Sequence, residues 1–578
     1  MPIRRRQFLG YVGAIPFVGS LYAFADEKPL LRIGLMTDTH IGETKESCGR
    51  VKLAYELFRK QGVDLMVNVG DVADHHYPTG YKAYRETVEE VFAGVPAAKR
   101  PEELFVYAAH DYIYYRGAKN RSLWPKDADS AFADMKRLIG AKNDPYAHGT
   151  IKGFPYVVFP QRMTDGLDLD RCDKMIAEAV AANHGKPVFV FAHIPPQKTT
   201  RSGYGNAEKR EMLNKYPQVV NFSGHTHGTL VDERAIWQGE FTSVNVGCLQ
   251  NWGERLVGSD HPRREHYGVL IVDVFASRIV FRRFDVRDGE EYRANEPWMI
   301  PWPFDPATAP YRNAGRKDRS AVPSFAAGVT LKVVPAGDAG GVLLTVPVAD
   351  GDIRPYIYRV NLERRDRSGK WKPLGTRDFI GEAWLRTFER PEKYDLDIPG
   401  AYFTPGGRYR FRVFPLNSLR KAGNPLSVEF SAPKPKVAPE VVWQSDNPMK
   451  DCPFLSGFSG GKPMPLKGGF YEMGDVDARL EFPRGAWKGA KGAKFRFVVD
   501  MHTIQEDSCM RTWLIYLRNT GTHKPASGRI STLDGDSGSI RYVIDIEKGK
   551  ASSSYYLLIR GEGVGRIKFD HVRIERRT

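Results

Sequence analysis

Acidic and imidazole side chains recur where apolar segments of the chain end. Asp38 and His40 come directly after the segment Leu31–Thr37, and Asp71 follows Leu65–Val69. Later apolar segments end in the same residue types, at His110, Asp111, His193, His225 and His227. Carboxylate and imidazole donors together suit Zn, Mn or Fe better than Ca. The residue types therefore predict a transition-metal site.

The spacing of these residues indicates how such ions would be held. Asp38 and His40 are separated by one residue, as are His225 and His227, and in an extended segment such residues project to the same side. Each pair can therefore hold one cation, and Asp71 can bridge two. Two ions about 3.5–4 Å apart can clamp a phosphoryl group and activate a water. A single Asp or His at a strand end is more often an ordinary hydrogen-bonding residue, so the prediction depends on the whole ordered set.

Alternating apolar patterns predict the elements that position these residues. Helical spacing covers Val51–Lys60 and Tyr81–Phe92. Strand patterns cover Leu31–Thr37, Leu65–Val69, Leu104–Ala108, Val188–Ala192, Val219–Phe222, Phe241–Val246, Tyr267–Val274 and Ile279–Asp285. Strands alternating with helices are typical of a layered α/β domain, in which functional groups gather at the carboxyl ends of the strands.

The ordered set resembles the calcineurin-like metallophosphoesterase family. The family pattern is D-x-H, GD, GNH followed by an acid, a lone His and GHxH. The corresponding residues here are Asp38-Thr39-His40, Gly70-Asp71, Ala108-Ala109-His110-Asp111, His193 and Gly224-His225-Thr226-His227. The resemblance covers roughly residues 30 to 290. It implies a layered β-sandwich flanked by helices, in the α/β class.

The resemblance also implies a role for each residue. A first metal ion would be held by Asp38, His40 and His227, with Asp71 bridging to a second ion. That second ion would be held by His193 and His225 as well. His110 would lie near the leaving-group oxygen, as a general acid or as a stabiliser of the transition state. The expected cofactors are two divalent or trivalent ions of Mn, Fe or Zn.

The chain departs from the family pattern at Ala109, where the family has an asparagine ligand. Alanine has no donor oxygen, so the second ion is expected to bind more weakly or to use another ligand. Asp111, Asp74, His75 and His76 are auxiliary candidates, and ordinary loop polarity is the alternative for each.

The N-terminus has the features of an export signal. Arg4-Arg5-Arg6 precedes an apolar stretch from Phe8 to Phe24, which ends in an A-x-A motif. The paired arginines resemble a bacterial twin-arginine signal. We therefore expect a periplasmic or extracellular protein, with an uncleaved membrane anchor as the alternative. No later segment reaches spanning length.

The second half of the chain shows short alternating segments separated by turns, which predict two all-β sandwich domains. The first resembles a fibronectin type III module, and the second resembles a jelly-roll, galactose-binding-like domain. Trp443, Trp487, Trp513 and Tyr555 could stack on a glycan or belong to the core. The expected divisions are a signal at 1–25, the catalytic domain at 26–296, a linker at 297–321, the first sandwich at 322–433, a linker at 434–440 and the second sandwich at 441–578.

The composition restricts the partners. The net charge of +16 favours anionic partners such as phosphate esters, but the basic residues are scattered and no nucleic-acid motif stands out. Cys452 and Cys509 could form a disulfide or remain free thiols. The expected activity is hydrolysis of phosphate mono- or diesters by a metal-activated water outside the cytoplasm. The alternative is a cell-surface or carbohydrate-binding protein with a decayed or mononuclear metal site.

Overall fold

A computed structural model describes most of the chain. The described residues are 27–42, 46–73, 79–111, 128–161, 167–183, 185–200, 205–250, 267–337, 339–349, 353–385, 390–457, 461–473, 477–483, 485–489, 491–505, 513–522, 526, 530–531, 538–550, 553–561 and 565–577. The expected signal, Asp74, His75, His76 and Cys509 lie outside these ranges. Within them, no helix combines the length and the apolar character that a membrane span requires.

The first half of the chain forms an α/β region. Its strands are β1 (Leu31–Met36), β2 (Leu65–Asn68), β3 (Glu102–Phe105), β4 (Ala147–Ile151), β5 (Phe154–Phe159), β6 (Val188–Ala192), β7 (Val219–Ser223), β8 (Ile236–Gln238), β9 (Thr242–Asn245), β10 (Gly268–Val274), β11 (Arg278–Asp285), β12 (Glu290–Tyr292) and β13 (Trp298–Pro301). Its helices are α1 (Ser47–Gln61), α2 (Thr79–Val91), α3 (Ala128–Ile139), α4 (Leu169–Ala182), α5 (Ala207–Leu213) and α6 (Arg316–Arg319).

The strands of this region form two sheets. The first has the order β12-β11-β10-β1-β2-β3, with β13 also paired to β11, and the second has the order β4-β5-β6-β7-β9-β8. Strands β1, β2 and β3 run parallel, as do β5, β6, β7 and β9. Parallel strands place their carboxyl ends at one edge, so the residues that follow them meet there.

Apolar side chains hold the two sheets face to face between layers of helices. One buried cluster joins the inner faces of the sheets, with members such as Leu35, Val67 and Phe222. A second packs α1, α2 and α3 on the outer face of the first sheet, and a third packs α4 and α5 on the outer face of the second. This is the layered metallophosphoesterase fold that the sequence predicted.

The stretch 297–321, expected to be a linker, contains a strand. Residues Trp298–Pro301 form β13, which pairs with β11, and the Trp298 side chain is 2% exposed. The proline-rich composition did not predict this short strand. The strand is stabilised by pairing with β11 and by packing of Trp298 against distant residues, and local sequence spacing records neither.

A first β region follows. Its strands are β14 (Lys332–Ala336), β15 (Gly341–Pro347), β16 (Ile357–Arg365), β17 (Trp371–Ile380), β18 (Lys393–Ile398), β19 (Arg408–Leu416) and β20 (Leu426–Ser431). The sheet β14-β15-β18 and the sheet β17-β16-β19-β20 enclose one apolar cluster. The region is therefore a two-sheet β-sandwich.

The last region is a second two-sheet assembly. It contains β21 (Glu440–Ser445), the short helix α7 (Pro448–Asp451), β22 (Phe454–Ser456), β23 (Leu466–Lys467), β24 (Phe470–Met473), β25 (Asp477–Leu480), β26 (Lys494–Gln505), β27 (Trp513–Asn519), β28 (Ile530–Ser531), β29 (Gly538–Glu547), β30 (Tyr555–Gly561) and β31 (Gly565–Arg577). One sheet has the order β23-β24-β31-β26-β29 with β21 added to β31, and the other has the order β22-β25-β30-β27-β28.

The aromatic residues considered for glycan stacking are largely part of this last core. Trp487 and Tyr555 are each 3% exposed, and the Trp487 indole donates to the Tyr555 carbonyl at 3.1 Å. Trp443 packs on Phe482 with ring centroids 5.8 Å apart. These three rings are therefore core residues, and the glycan partner stays a prediction. Cys452 carries a buried free thiol.

Candidate metal centre

The carboxyl ends of five parallel strands deliver the predicted ligands to one place. Asp38 and His40 follow β1, Asp71 follows β2, and His193 follows β6. His225 and His227 follow β7, and His110 follows β3. Leaving His110 aside, the other six side chains form two groups of three among the described residues. Within each group the potential ligand atoms lie within 4.8 Å of one another.

The first group comprises Asp38, His40 and His227. The His227 Nε2 atom lies 3.2 Å from Asp38 Oδ1 and 3.2 Å from His40 Nε2. The His40 Nε2 atom lies 3.7 Å from Asp38 Oδ1. One carboxylate oxygen and two imidazole nitrogens thus converge on one point.

The second group comprises Asp71, His193 and His225. The Asp71 Oδ2 atom is 2.9 Å from His193 Nε2 and 3.8 Å from His40 Nε2 in the first group. Asp38 Oδ1 is likewise 3.8 Å from His193 Nε2. The two groups therefore adjoin, and Asp71 lies between them.

The polar atoms of the centre fit a cation better than they fit each other. Asp38 Oδ1 and His193 Nε2 are buried, and although they lie 3.2 Å from His227 Nε2 and 2.9 Å from Asp71 Oδ2, neither contact has the direction of a hydrogen bond. Burying such atoms unsatisfied costs about 1–3 kcal/mol each. A metal ion bound to both groups would remove that cost, and the N/O donor set suits Zn, Mn or Fe.

Hydrogen bonds on the far side of two imidazoles fix which nitrogen faces the centre. His193 Nδ1 pairs with the Val69 carbonyl at 2.8 Å, and His227 Nδ1 pairs with the Gln250 carbonyl. A carbonyl can only accept, so Nδ1 carries a proton and Nε2 is the atom that faces the centre, where a metal ion would displace any proton it holds.

The backbone at the centre is held in an uncommon conformation. Asp38, His40, Asp71, His225 and His227 all have positive φ values, between 39° and 69°. Non-glycine residues rarely adopt this left-handed region, and such strain concentrates at functional sites. It turns the side chains of these five residues toward one another.

Two glycines allow the strand ends to approach this closely. A Cβ atom on Gly70, whose φ is 101°, would stand 2.7 Å from the Ala108 Cβ and 2.8 Å from His193 Nδ1. A Cβ atom on Gly224 would stand 2.0 Å from Thr37 Oγ1 and 2.6 Å from Asp38 Oδ2. Only glycine leaves room for the ligands beside them.

Burial and mutual charge shape the titration of the centre. Burial would raise the pKa of Asp38, but the charges of His227 and His193 hold that pKa well below its ordinary value. Burial would lower the pKa of His193, yet Asp71 and Asp38 raise it to about 9. Burial and the charge of His193 lower the pKa of His225 to about 4. The carboxylates are therefore ionised and ready to bind a cation at neutral pH.

His110 stands beside the two groups rather than inside either of them. Its backbone N–H donates to Asp71 Oδ1 at 3.1 Å, and its ring meets the His40 ring edge-on with centroids 4.8 Å apart. The residue is half-buried, as are His225 and His227. This half-exposed side is where a substrate can reach the centre.

Asp111, an auxiliary candidate, lies in neither ligand group among the described residues. Its Oδ1 accepts from the N–H groups of Val72 and Ala73 at 3.0 and 3.2 Å, and its Oδ2 accepts from the Ala108 N–H at 3.1 Å. Burial and the nearby charge of Asp71 raise its pKa to about 7. Asp111 ties the loop after β2 to the turn after β3.

Sequence reasoning missed Gln161 and Gln250 as members of the site. Gln161 Oε1 accepts from the Ala109 N–H at 3.2 Å, and the Gln250 carbonyl holds His227. Gln161 lies two residues after the end of β5, at the carboxyl edge of the second sheet. Considering polar residues after every predicted strand, and not only Asp and His, would have identified it as a candidate.

The segment after His227 is anchored by the neighbouring β-sandwich. Val231 packs in a cluster with Tyr356 and Trp384, and the Tyr356 hydroxyl donates to Asp232 Oδ2 at 3.2 Å. The Glu233 N–H donates to the Ser418 hydroxyl at 3.0 Å. The first β-sandwich therefore helps to position the loop that carries two of the ligands.

One comparison with known proteins gave a family match. A family model described as calcineurin-like phosphoesterase matches residues 31–229. The search of curated proteins gave no match.

Several solved structures resemble the chain at low TM-scores. A dimetal phosphatase from Danio rerio is 14% identical over 48% of this chain and 100% of its own, with a TM-score of 0.32. A purple acid phosphatase from yellow lupin seeds is 11% identical over 47% of this chain and 53% of its own, with a TM-score of 0.33. The family model itself identifies the domain: residues 31–229 belong to the calcineurin-like phosphoesterase family.

Proposed function

We propose that the chain is a metal-dependent phosphoesterase that hydrolyses phosphate mono- or diesters outside the cytoplasm. The observation that carries the proposal is the pair of adjoining ligand groups with Asp71 between them. Asp38, His40 and His227 would hold one ion, and His193 and His225 would hold the other. Asp71 would contact both.

Bound ions would supply Lewis-acid stabilisation of the phosphoryl oxygens and a nucleophilic water near neutral pH. Mn, Fe or Zn is proposed, because the donor set is carboxylate and imidazole. The chain's contribution is to fix these donors before substrate arrives, through the strained backbone and the carbonyl partners of His193 and His227.

His110 is proposed to act on the leaving group. Its backbone is fixed by Asp71, and its ring lies at the half-exposed side of the centre against His40. From that position an imidazolium can donate a proton to the oxygen of the departing alcohol, or stabilise the negative charge that develops there.

Export is proposed on the arginine and apolar pattern of residues 1–25. Fractionation of cells that express the full chain tests this, with Arg5→Lys and Arg6→Lys combined as the variant, because these are the paired arginines directly before Gln7-Phe8-Leu9. We expect the wild-type chain in the periplasm or medium and the variant in the cytoplasm. Wild-type chain confined to the cytoplasm would contradict export.

An assay panel tests the hydrolysis. The full chain is stripped with a chelator and assayed on aryl phosphate monoesters and diesters with added Mn²⁺ or Zn²⁺. We expect turnover that requires metal, and that is lost in Asp38→Asn but retained in the exposed control Asp395→Asn. Lack of metal-dependent turnover across the panel, with a folded chain, would contradict the proposal.

The alternative of a binding protein with a mononuclear or decayed centre is motivated by Ala109, which offers no side-chain ligand. Metal content separates the two functions. About two bound ions per chain supports the enzyme, whereas one or none supports the alternative.

A further inference from the structure

The second ligand group is the less complete part of the proposed centre. Asp71, His193 and His225 supply its donors among the described residues, and the neighbouring Ala109 has no donor in its side chain. Transition-metal ions commonly take four or more ligands. A further neutral oxygen next to this group would therefore matter for how tightly an ion binds.

The backbone places Gln161 beside His193. Strands β5 and β6 are parallel neighbours, and Phe159 is opposite Ala192 in their register. Gln161 lies two residues beyond Phe159, and His193 lies one residue beyond Ala192. Since neighbouring strands are about 4.8 Å apart, the two residues leave the second sheet side by side.

Hydrogen bonds place the Gln161 side chain on the Asp71 side as well. Its Oε1 accepts from the Ala109 N–H at 3.2 Å, and the next N–H along the chain, that of His110, donates to Asp71 Oδ1 at 3.1 Å. The carboxamide oxygen and the Asp71 carboxylate thus accept from consecutive peptide groups. Gln161 therefore lies beside the turn whose next peptide group contacts Asp71, and on the strand next to the one that ends before His193.

The orientation of the amide follows from the same contact. A peptide N–H can only donate, so the atom that faces Ala109 must be the oxygen and not the nitrogen. The side chain is 6% exposed, and the Gln161 N–H is itself fixed by the Tyr107 carbonyl at 2.8 Å. A carbonyl oxygen has two lone pairs, so Oε1 can accept from Ala109 and still bind a cation.

We propose that the Gln161 carboxamide oxygen is a ligand of the second metal ion, in place of a side chain at position 109. The inference rests on the proposed function. Asp111 cannot take this role without releasing its bonds to Val72, Ala73 and Ala108. Gln161 approaches from the second sheet, where it follows β5.

The test compares four full-length chains: wild type, Gln161→Ala, Gln161→Ala combined with Ala109→Asn, and the control Gln238→Ala. Gln238 is a buried amide of β8 that bonds to Thr242 and Tyr311. Each chain is titrated with Mn²⁺ alone, with stoichiometry and affinity measured by equilibrium dialysis. Electron paramagnetic resonance reports the magnetic coupling of two neighbouring Mn²⁺ ions, and circular dichroism confirms folding.

We expect wild type and the control to bind two coupled ions. Gln161→Ala should bind the second ion about 10- to 100-fold more weakly, the range seen when a group that supports a metal site is removed. The coupling signal should be lost while one ion remains bound. Adding Ala109→Asn should restore the second ion, because an asparagine oxygen then enters from the other side.

Two outcomes would overturn the inference. Unchanged affinity for the second ion in Gln161→Ala would show that the carboxamide is not a ligand. Loss of the second ion without rescue by Ala109→Asn would show that Gln161 only braces the turn after β3. Either result leaves the phosphoesterase proposal standing if wild type binds two ions and hydrolyses esters, whereas wild type that binds no ion contradicts the proposed function itself.

Discussion

Buried carboxylates occur in two very different settings in this chain, at the strand ends of the α/β region and inside the first β-sandwich. Asp38 is fully buried, its Oδ1 has no hydrogen-bond partner among the described residues, and its φ is 50°. Glu382 is 4% exposed, and its two oxygens accept from the Tyr358 hydroxyl at 2.8 and 2.9 Å. Glu382 also lies in an ordinary helical turn, Glu382–Trp384.

The difference separates a site prepared for a ligand from a site that is complete without one. At the metal centre, burial opposes ionisation but the histidines keep the carboxylates charged. In the sandwich, burial raises the pKa of Glu382 to about 7, so the carboxyl group tends to keep its proton. Strained backbone and unsatisfied buried atoms thus mark function, while satisfied hydrogen bonds mark packing.

The largest expected effect comes from Asp71, which lies between the ligand groups. Asp71→Asn removes a negative charge shared by both proposed ions, so we expect kcat/KM to fall by about 10³-fold or more, in line with the several kcal/mol that metal ions supply to such reactions. Bound metal should fall at both positions. Steady-state kinetics and metal analysis check this, and full activity in Asp71→Asn would show that the groups are not a dinuclear centre.

A smaller effect is expected from His110, which belongs to neither ligand group. His110→Asn should lower turnover by about 10²- to 10⁴-fold, the range for loss of a general acid, with metal content unchanged. The effect should be least on esters with good leaving groups. Loss of metal together with turnover would instead make His110 part of the metal site.

Gly224 tests whether the close approach of the strands matters. Gly224→Ala would place a Cβ 2.6 Å from Asp38 Oδ2, so Asp38 must move, and we expect metal affinity to fall by about 10- to 100-fold. Gly49→Ala in α1 is the matched control, because a Cβ there meets no atom within 4 Å. Titration with Mn²⁺ measures both, and equal affinities in the two variants would refute the packing argument.

Glu382→Gln is expected to leave hydrolysis unchanged. This variant instead tests how the stability of the fold depends on pH. Below pH 4.5 both folded and unfolded chains carry the proton on Glu382. Between pH 4.5 and about 7 only the unfolded chain loses it, so wild type loses stability as pH rises, by on the order of 3 kcal/mol. Above about 7 the loss is complete.

Glutamine cannot ionise, so Glu382→Gln should gain melting temperature relative to wild type as pH rises from 5 to 8. Calorimetry of metal-free chains checks this at several pH values. A difference in melting temperature that does not change with pH would mean that Glu382 is ionised in the folded sandwich.

Much of the α/β region was predictable because strand and helix patterns are local. The apolar segments before Asp38, Asp71, His193 and His225 are strands close to their expected ends, and the parallel order brings these residues together. Ligand type, spacing and strand ends were enough to predict the two groups.

The remaining features depend on contacts between distant parts of the chain. Gln161 enters the site through a bond to Ala109, and β13 is a strand because it pairs with β11. Trp487 is a core residue because two sheets close over it. Sequence spacing does not record these partners, nor the positive φ values that aim the ligands.

Anomalous diffraction from crystals of the full chain soaked in Mn²⁺ would show directly whether the two ligand groups bind a pair of ions. We expect two peaks, one among Asp38, His40 and His227 and one among His193 and His225, with Asp71 in contact with both. A single peak, or Mn²⁺ bound away from these residues in a folded chain, would contradict this expectation.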